Sequence, residues 1–241
     1  MRLPKIIAHR GACGYAPENT LAALEKAKSL GTSWVEFDVQ LTKDHQAVIF
    51  HDDDLDRTTN SSGLLKNKTL NELLNLDAGA WFSKEFSGEK IPTLEEWCAS
   101  LLRLDLSMNL EIKPYKGDEE EMVKGILEVL KRIWPSGAPA PLLSSFNPEV
   151  LLLLKKFNSP YPCACLMHEW HDDWLPFVRQ LEHCVSVNVN EEILTAERVR
   201  DIKNAGYGLL SYTVNEPKRA QLLFDWGVDG IFTDYPDRFS I

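Results

Sequence analysis

Short β-branched and aliphatic runs alternate with longer amphipathic stretches along nearly the whole chain, and this alternation constrains the fold more than any other feature. The runs are Lys5 to Ala8, Trp34 to Leu41, Ala47 to Phe50, Met108 to Ile112, Leu142 to Phe146, Ala164 to Met167, Val185 to Val189, Gly208 to Val214 and Gly230 to Thr233. Only Thr42 to Gln46 separates the third run from the second, which leaves room for a hairpin but not for a helical crossover. Setting that run aside leaves eight strand-then-helix units, and repetition of this order requires parallel strands with helices returning over the outside. Eight such units in one domain predict an α/β fold of the (β/α)8 TIM barrel type, with an open doubly wound sheet as the alternative.

The helical stretches have legible ends. Thr20 to Leu30 stops at Gly31, and Asp118 to Trp134 stops before Pro135. Asn147 and Thr195 stand as N-caps ahead of Pro148 to Phe157 and Ala196 to Ala205, where a side-chain oxygen accepts a hydrogen bond from the first turn. From Asp52 to Asp105 the rhythm fails. Asn60-Ser61-Ser62-Gly63, short helical pieces and the aromatic group Trp81, Phe82 and Phe86 make residues 52–105 an insertion on the catalytic face of the barrel. At 241 residues, 44% of them hydrophobic, the chain can bury such a barrel as a single domain over 1–241.

The charge balance argues against one large class of partners. A net charge of −10, from 36 acidic and 26 basic residues, does not suit a nucleic-acid backbone, which needs a basic surface. The five cysteines, at 13, 98, 163, 165 and 184, are odd in number and include no Cys-x-x-Cys, so neither a disulfide framework nor a zinc site is indicated and a reducing compartment fits. Near the N-terminus only Ile6-Ile7-Ala8 is apolar before His9-Arg10, too short for an export signal. The longest aliphatic run, Val150 to Leu154, falls far short of the roughly 20 residues a spanning helix needs. The expectation is a cytoplasmic protein without a membrane span, monomeric or homodimeric.

Charged groups inside or just past the strand runs are costly there unless they are paired or bound to a metal. Glu36 and Asp38 lie two apart on one strand, so they share a face, and Glu111 and Lys113 do the same on another. In a parallel barrel such strand ends open at the C-terminal mouth, where active sites of this fold lie. Three converging carboxylates, Glu36, Asp38 and Glu111, with no cysteine beside them, make a hard-oxygen site suited to Mg²⁺, with Mn²⁺ or Ca²⁺ possible. Glu36 and Glu111 can also pair with Arg10 and Lys113 in the lumen, and both arrangements can hold together. His9 and His51 are the candidate proton carriers, since histidine alone changes charge near neutral pH without large perturbation. His45, His168, His171 and His183 fall in loops or polar surroundings and read as surface residues.

Taken in order, His9-Arg10-Gly11, Pro17-Glu18-Asn19-Thr20, Glu36-x-Asp38, His51-Asp52, Arg57-Thr58-Thr59 and Glu111-x-Lys113 closely resemble the signature of the glycerophosphodiester phosphodiesterases. The likeness continues through Ser144-Ser145-Phe146, Thr213-Val214-Asn215 and the block from Gly227 to Asp234, and looks nearest to the soluble bacterial branch of that family. It implies hydrolysis of a small glycerophosphodiester, such as glycerophosphocholine or glycerophosphoethanolamine, to glycerol 3-phosphate and an alcohol. It also assigns Glu36, Asp38 and Glu111 to the metal and gives His9 and His51 the acid and base roles, in an order the sequence leaves open.

Arg10 offers a planar fork and Lys113 a point charge for the phosphate. Asn19 either fixes its loop, touches the glycerol or helps Thr20 cap a helix, and Asp52 either orients His51 or ends a strand. Trp81 and Phe82 form a pocket wall or the core of the insertion. Tyr212 stands where the family block commonly has tryptophan and keeps an aromatic wall at the substrate. The Asp44-His45 pair stands where a glycine usually completes a turn, at a cost of about 1 kcal/mol for a left-handed residue. A lysophospholipase D-type activity on lipid phosphodiesters is the alternative, although no basic amphipathic segment suits a membrane surface. A binding module without turnover would have no use for the paired histidines.

Overall fold

The computed structural model describes residues 2–181 and 183–239 and contains, among them, nine strands: β1 (Ile6–Ala8), β2 (Trp34–Leu41), β3 (Ala47–Ile49), β4 (Ser107–Ile112), β5 (Leu142–Ser145), β6 (Cys163–Met167), β7 (Cys184–Asn190), β8 (Gly208–Tyr212) and β9 (Gly230–Thr233). Their order is β1-β9-β8-β7-β6-β5-β4-β2-β3, and a β1–β2 pairing at Ala8 and Val35 closes the eight parallel strands into a (β/α)8 barrel. The extra strand is the one set aside from the sequence. β3 pairs antiparallel with the end of β2, Val39 opposite Ile49, across a turn in which His45 takes φ 57°.

Among the described residues eight α-helices join the strands: α1 (Leu21–Ser29), α2 (Leu70–Leu73), α3 (Leu94–Arg103), α4 (Glu119–Ile133), α5 (Pro148–Lys156), α6 (Trp174–Val178), α7 (Ala196–Asn204) and α8 (Pro217–Trp226). Thr20, Asn147 and Thr195 cap α1, α5 and α7, each accepting a backbone N–H of the first turn. The segment 52–105 contains two different things. Its first part folds over a small core of its own, Leu55, Leu65, Leu73, Ala78 and Ile91 with Val48 and Phe50. Its last part is α3, a barrel helix started by a Thr93/Glu96 capping box. α3 buries Leu94, Trp97, Cys98 and Leu101 at helical spacing, and Trp97 packs 5.1 Å from Phe37 of β2.

Every residue of β2 is buried because helices cover one side and the lumen fills the other. Val35, Phe37, Val39 and Leu41 join the core beneath the helices, whereas Trp34 belongs to a separate cluster with Ile7, Leu142, Ala164, Leu210 and Phe232 that plugs the lumen. Above that plug lies a buried polar layer. Asn109 donates to Ser144 (2.8 Å) and Ser186 to Asn188 (2.9 Å). Higher still, at the strand ends, the alternation that placed Trp34 inward places Glu36 and Asp38 inward as well, in register with Asn109 and Glu111 of β4. No helix among the described residues is long and apolar enough to cross a membrane.

Candidate active site

A cleft of about 430 Å³ opens at the C-terminal ends of the strands, lined by His9, Arg10, Glu36, Asp38, His51, Asn109, Glu111, Phe146, Leu166, His168, Tyr212, Thr213 and Phe232. Oxygens of Glu36, Asp38 and Glu111 all lie within 4.8 Å of one another. Burial, with the charge of Asp38 close by, raises the Glu36 carboxyl well above its usual range and pushes Glu111 up to about 8. Asp38 moves the other way. Although burial acts against it, Lys113, Arg10 and His51, with the Asn19 hydrogen bond, bring its carboxyl down to about 2.

The two cations beside Asp38 satisfy one of the three carboxylates and leave the other two short of positive charge. An all-oxygen donor set with that deficit fits a hard divalent cation.

Arg10 is placed by its backbone as much as by its side chain. At φ 50° it turns the chain sharply, so its N–H donates to Glu36 Oε2 (3.0 Å) while the guanidinium reaches Glu18 (2.7 Å) and comes within 3.5 Å of Asp38. Its Nε, the atom facing Asp38, is buried without a hydrogen-bond partner among the described residues. Lys113 Nζ lies 3.6 Å from the other oxygen of Asp38.

Each histidine is held through Nδ1. His9 meets Asp234 at 2.7 Å and His51 meets Asp52 at 2.6 Å, which assigns the Nδ1 proton in both and turns Nε2 away from the carboxylate. Asp234 also accepts from Cys13 (2.9 Å) and Asn215 (2.6 Å). Burial would raise its carboxyl, but the contacts with His9, Cys13 and Asn215 outweigh it and hold the group well below the usual range. The Cys13 thiol is pushed up by burial and by Asp234, which keeps it a donor. His9, Cys13 and Asp234 come close enough to hold an ion, but their hydrogen bonds to one another already account for that closeness.

Asp52 is in turn gripped by Arg57, Nε at 2.7 Å and Nη2 at 2.9 Å, while the same guanidinium forks onto Glu18. The Arg57 hydrogen bond is the main reason the Asp52 carboxyl sits low. Burial lowers the His51 pKa below its ordinary value.

Other residues singled out from sequence stand at varying distances from the cleft. Asn19 is buried with φ 57° and its amide donates to Asp38 (2.9 Å), so it sits behind that carboxylate, and Thr20 alone caps α1. Tyr212 lines the cleft, its hydroxyl tied to the Met167 carbonyl (2.7 Å). Trp81 is not among the lining residues. Its indole donates to Ala78 and its ring supports the Arg57 guanidinium 5.9 Å away. His168, exposed as its polar surroundings suggest, nevertheless stands on the cleft rim. Asp234, Asn215 and Cys13 carry no role in the sequence reading, although Asp234 stands two residues past Phe232 of the lumen cluster and so continues the inward alternation of β9.

Carboxylates, two anchored imidazoles and a buried guanidinium at the mouth of a closed parallel barrel define a phosphoester-hydrolase type of site. The profile of the glycerophosphoryl diester phosphodiesterase family matches residues 9–238, and the chain belongs to that family. A glycerophosphodiester phosphodiesterase of Caldanaerobacter subterraneus subsp. tengcongensis is 37% identical over 96% of this chain and 94% of its own. One from Bacillus subtilis is 34% identical over 97% and 84%. An Oleispira antarctica phosphodiesterase, solved with its product sn-glycerol-3-phosphate, superposes with a TM-score of 0.94 at 41% identity, covering 98% of this chain and 95% of that one.

Proposed function

We propose that this enzyme hydrolyses glycerophosphodiesters to glycerol 3-phosphate and an alcohol, with His9 and His51 as the proton carriers and Glu36, Asp38 and Glu111 as the ligands of Mg²⁺. The observation that carries the reading is the convergence of two imidazoles, each fixed by its own carboxylate, on a cleft that also holds the three-carboxylate cluster. The Oleispira neighbour with bound glycerol 3-phosphate supports the substrate class.

Glu36, Asp38 and Glu111 would hold the cation, which would supply positive charge against the phosphodiester and lower the pKa of a nearby hydroxyl. Arg10 and Lys113 add positive charge on either side of Asp38 and orient the diester. One histidine takes the proton of the attacking hydroxyl at Nε2, and the other delivers a proton to the departing alcohol oxygen. Asp234 and Asp52 keep the imidazoles in the tautomer and orientation that this exchange needs. Five widely spread cysteines with no Cys-x-x-Cys support a reducing, cytoplasmic setting.

The test is release of glycerol 3-phosphate from glycerophosphocholine by chelator-treated protein, with and without added Mg²⁺, beside Glu36→Ala. Product that returns with metal in the parent and not in the variant is expected. Folded protein that yields no product with any divalent metal rejects the proposal. A diester lacking the glycerol hydroxyl next to phosphorus separates attack by that hydroxyl, which it abolishes, from attack by water.

A further inference from the structure

The cleft does not end at the histidines. Past Phe146, Leu166 and His168, which border both spaces, it continues into a side groove of about 410 Å³ between the ends of β5 and β6 and helix α6. Aromatic walls come from Phe146, Trp174 and Phe177, and the Phe146 ring stands edge-on to Tyr212 at 5.8 Å. The acidic side chains lining the groove are Glu169 and Asp173, and two imidazoles, His168 and His171, line it with them. Asp173 occupies the N-cap position of α6 without capping it, and among the described residues neither carboxylate has an ion-pair or hydrogen-bond partner.

We propose that this groove takes the alcohol half of the diester and selects alcohols that carry a cationic ammonium group. The inference rests on phosphodiester hydrolysis in the adjoining cleft. With the phosphate between Arg10, Lys113 and the carboxylate cluster, the glycerol half needs hydrogen-bonding walls, and the cleft lining includes the polar side chains of Asn109 and Thr213. The side groove offers the opposite chemistry. Aromatic faces attract a quaternary or primary ammonium through the ring quadrupole, and two unpaired carboxylates add attraction at longer range. A neutral polyol gains neither, and a fatty acyl chain would strip water from Glu169 and Asp173 without pairing them.

The test compares kcat/KM for glycerophosphocholine and for glycerophosphoglycerol, read as glycerol 3-phosphate release by the full chain with Mg²⁺. The expected result is a preference for the choline ester that falls about fivefold in Glu169→Gln/Asp173→Asn, the upper size of an exposed charge pair. A ratio at or below one in the parent, or an unchanged ratio in the folded double variant, overturns the proposal. On the parent enzyme alone, choline should inhibit competitively and more strongly than its neutral isostere 3,3-dimethyl-1-butanol, and equal inhibition also overturns it. Absence of product from both diesters rejects the phosphodiesterase reading itself and this inference with it.

Discussion

Asp234→Asn isolates the support of His9 from its presence. In the parent, Asp234 Oδ1 takes the Nδ1 proton of His9 at 2.7 Å, and Oδ2 takes an N–H of Asn215 at 2.6 Å. Asn215 is itself fixed, its own oxygen accepting from Thr233 (3.0 Å) and the Asp234 N–H (2.9 Å). It therefore keeps presenting a donor to whatever stands at 234. The new carboxamide must answer with its oxygen, which turns its NH₂ toward His9. Nδ1 then has to accept, the ring proton moves to Nε2, and the nitrogen facing the cleft can no longer take a proton.

Losing a charge-assisted hydrogen bond in a half-buried setting costs about 2–3 kcal/mol. At 1.36 kcal/mol per decade this lowers kcat about 30- to 160-fold. The assay is glycerol 3-phosphate release across about pH 5–9, with thermal melting to show that the variant is folded. Cys13→Ala, which removes only a weak donor to the same carboxylate, should cost less than about threefold. A kcat within threefold of the parent for Asp234→Asn, in protein with parental melting behaviour, refutes the idea that Asp234 governs His9.

Arg57→Ala removes both forks, onto Asp52 and Glu18, and should lower kcat about tenfold, a discounted value because the side chain is 45% exposed. Arg57→Lys should not restore it, since an ammonium cannot make both bidentate contacts, and steady-state kinetics checks both. Gly11→Ala should cost about 2–4 kcal/mol, because Gly11 has φ 80° and an added Cβ would lie 2.6 Å from Ala23 Cβ; calorimetry should show a Tm lower by roughly 5–15 °C. Asp77 accepts N–H groups of Ala80, Gly79 and Gly88, which bring its carboxyl from 3.8 down to about 2. The folded loop thus binds fewer protons than the unfolded one, so its stabilisation is complete above 3.8 and is lost as pH falls toward 2. Hydrogen-exchange protection over residues 77–88, taken relative to the intrinsic rate at each pH, should fall across that window in the parent and not in Asp77→Asn.

How much of this was legible in the chain depends on the kind of signal each part leaves. The barrel was, because strand runs and helix caps are local: Thr20, Asn147 and Thr195 cap where their chemistry says they should. The last helix of segment 52–105 was not separated from the insertion before it. Thr93 and Glu96 spell a capping box, and Leu94, Trp97, Cys98 and Leu101 follow at helical spacing, but the irregular residues ahead of them masked the return to the barrel rhythm. The carboxylate cluster could be anticipated because Glu36 and Asp38 share one strand face, and the register of β2 with β4 then sets Glu111 opposite Asp38.

The two histidines show where local reasoning stops. His51 is held by its sequence neighbour, Asp52, so part of its support is written beside it. His9 is held by a residue 225 positions away, and only closure of the barrel joins them: β9 pairs with β1, Ala8 opposite Thr233, which sets His9 and Asp234 at adjacent strand ends. The side chain that holds His9 is thus delivered from just past the last strand of the barrel. It follows that weakening the β1–β9 seam should disturb His9 while leaving the Asp52–Arg57 support of His51 in place, since the latter is built within the insertion and the Glu18 loop.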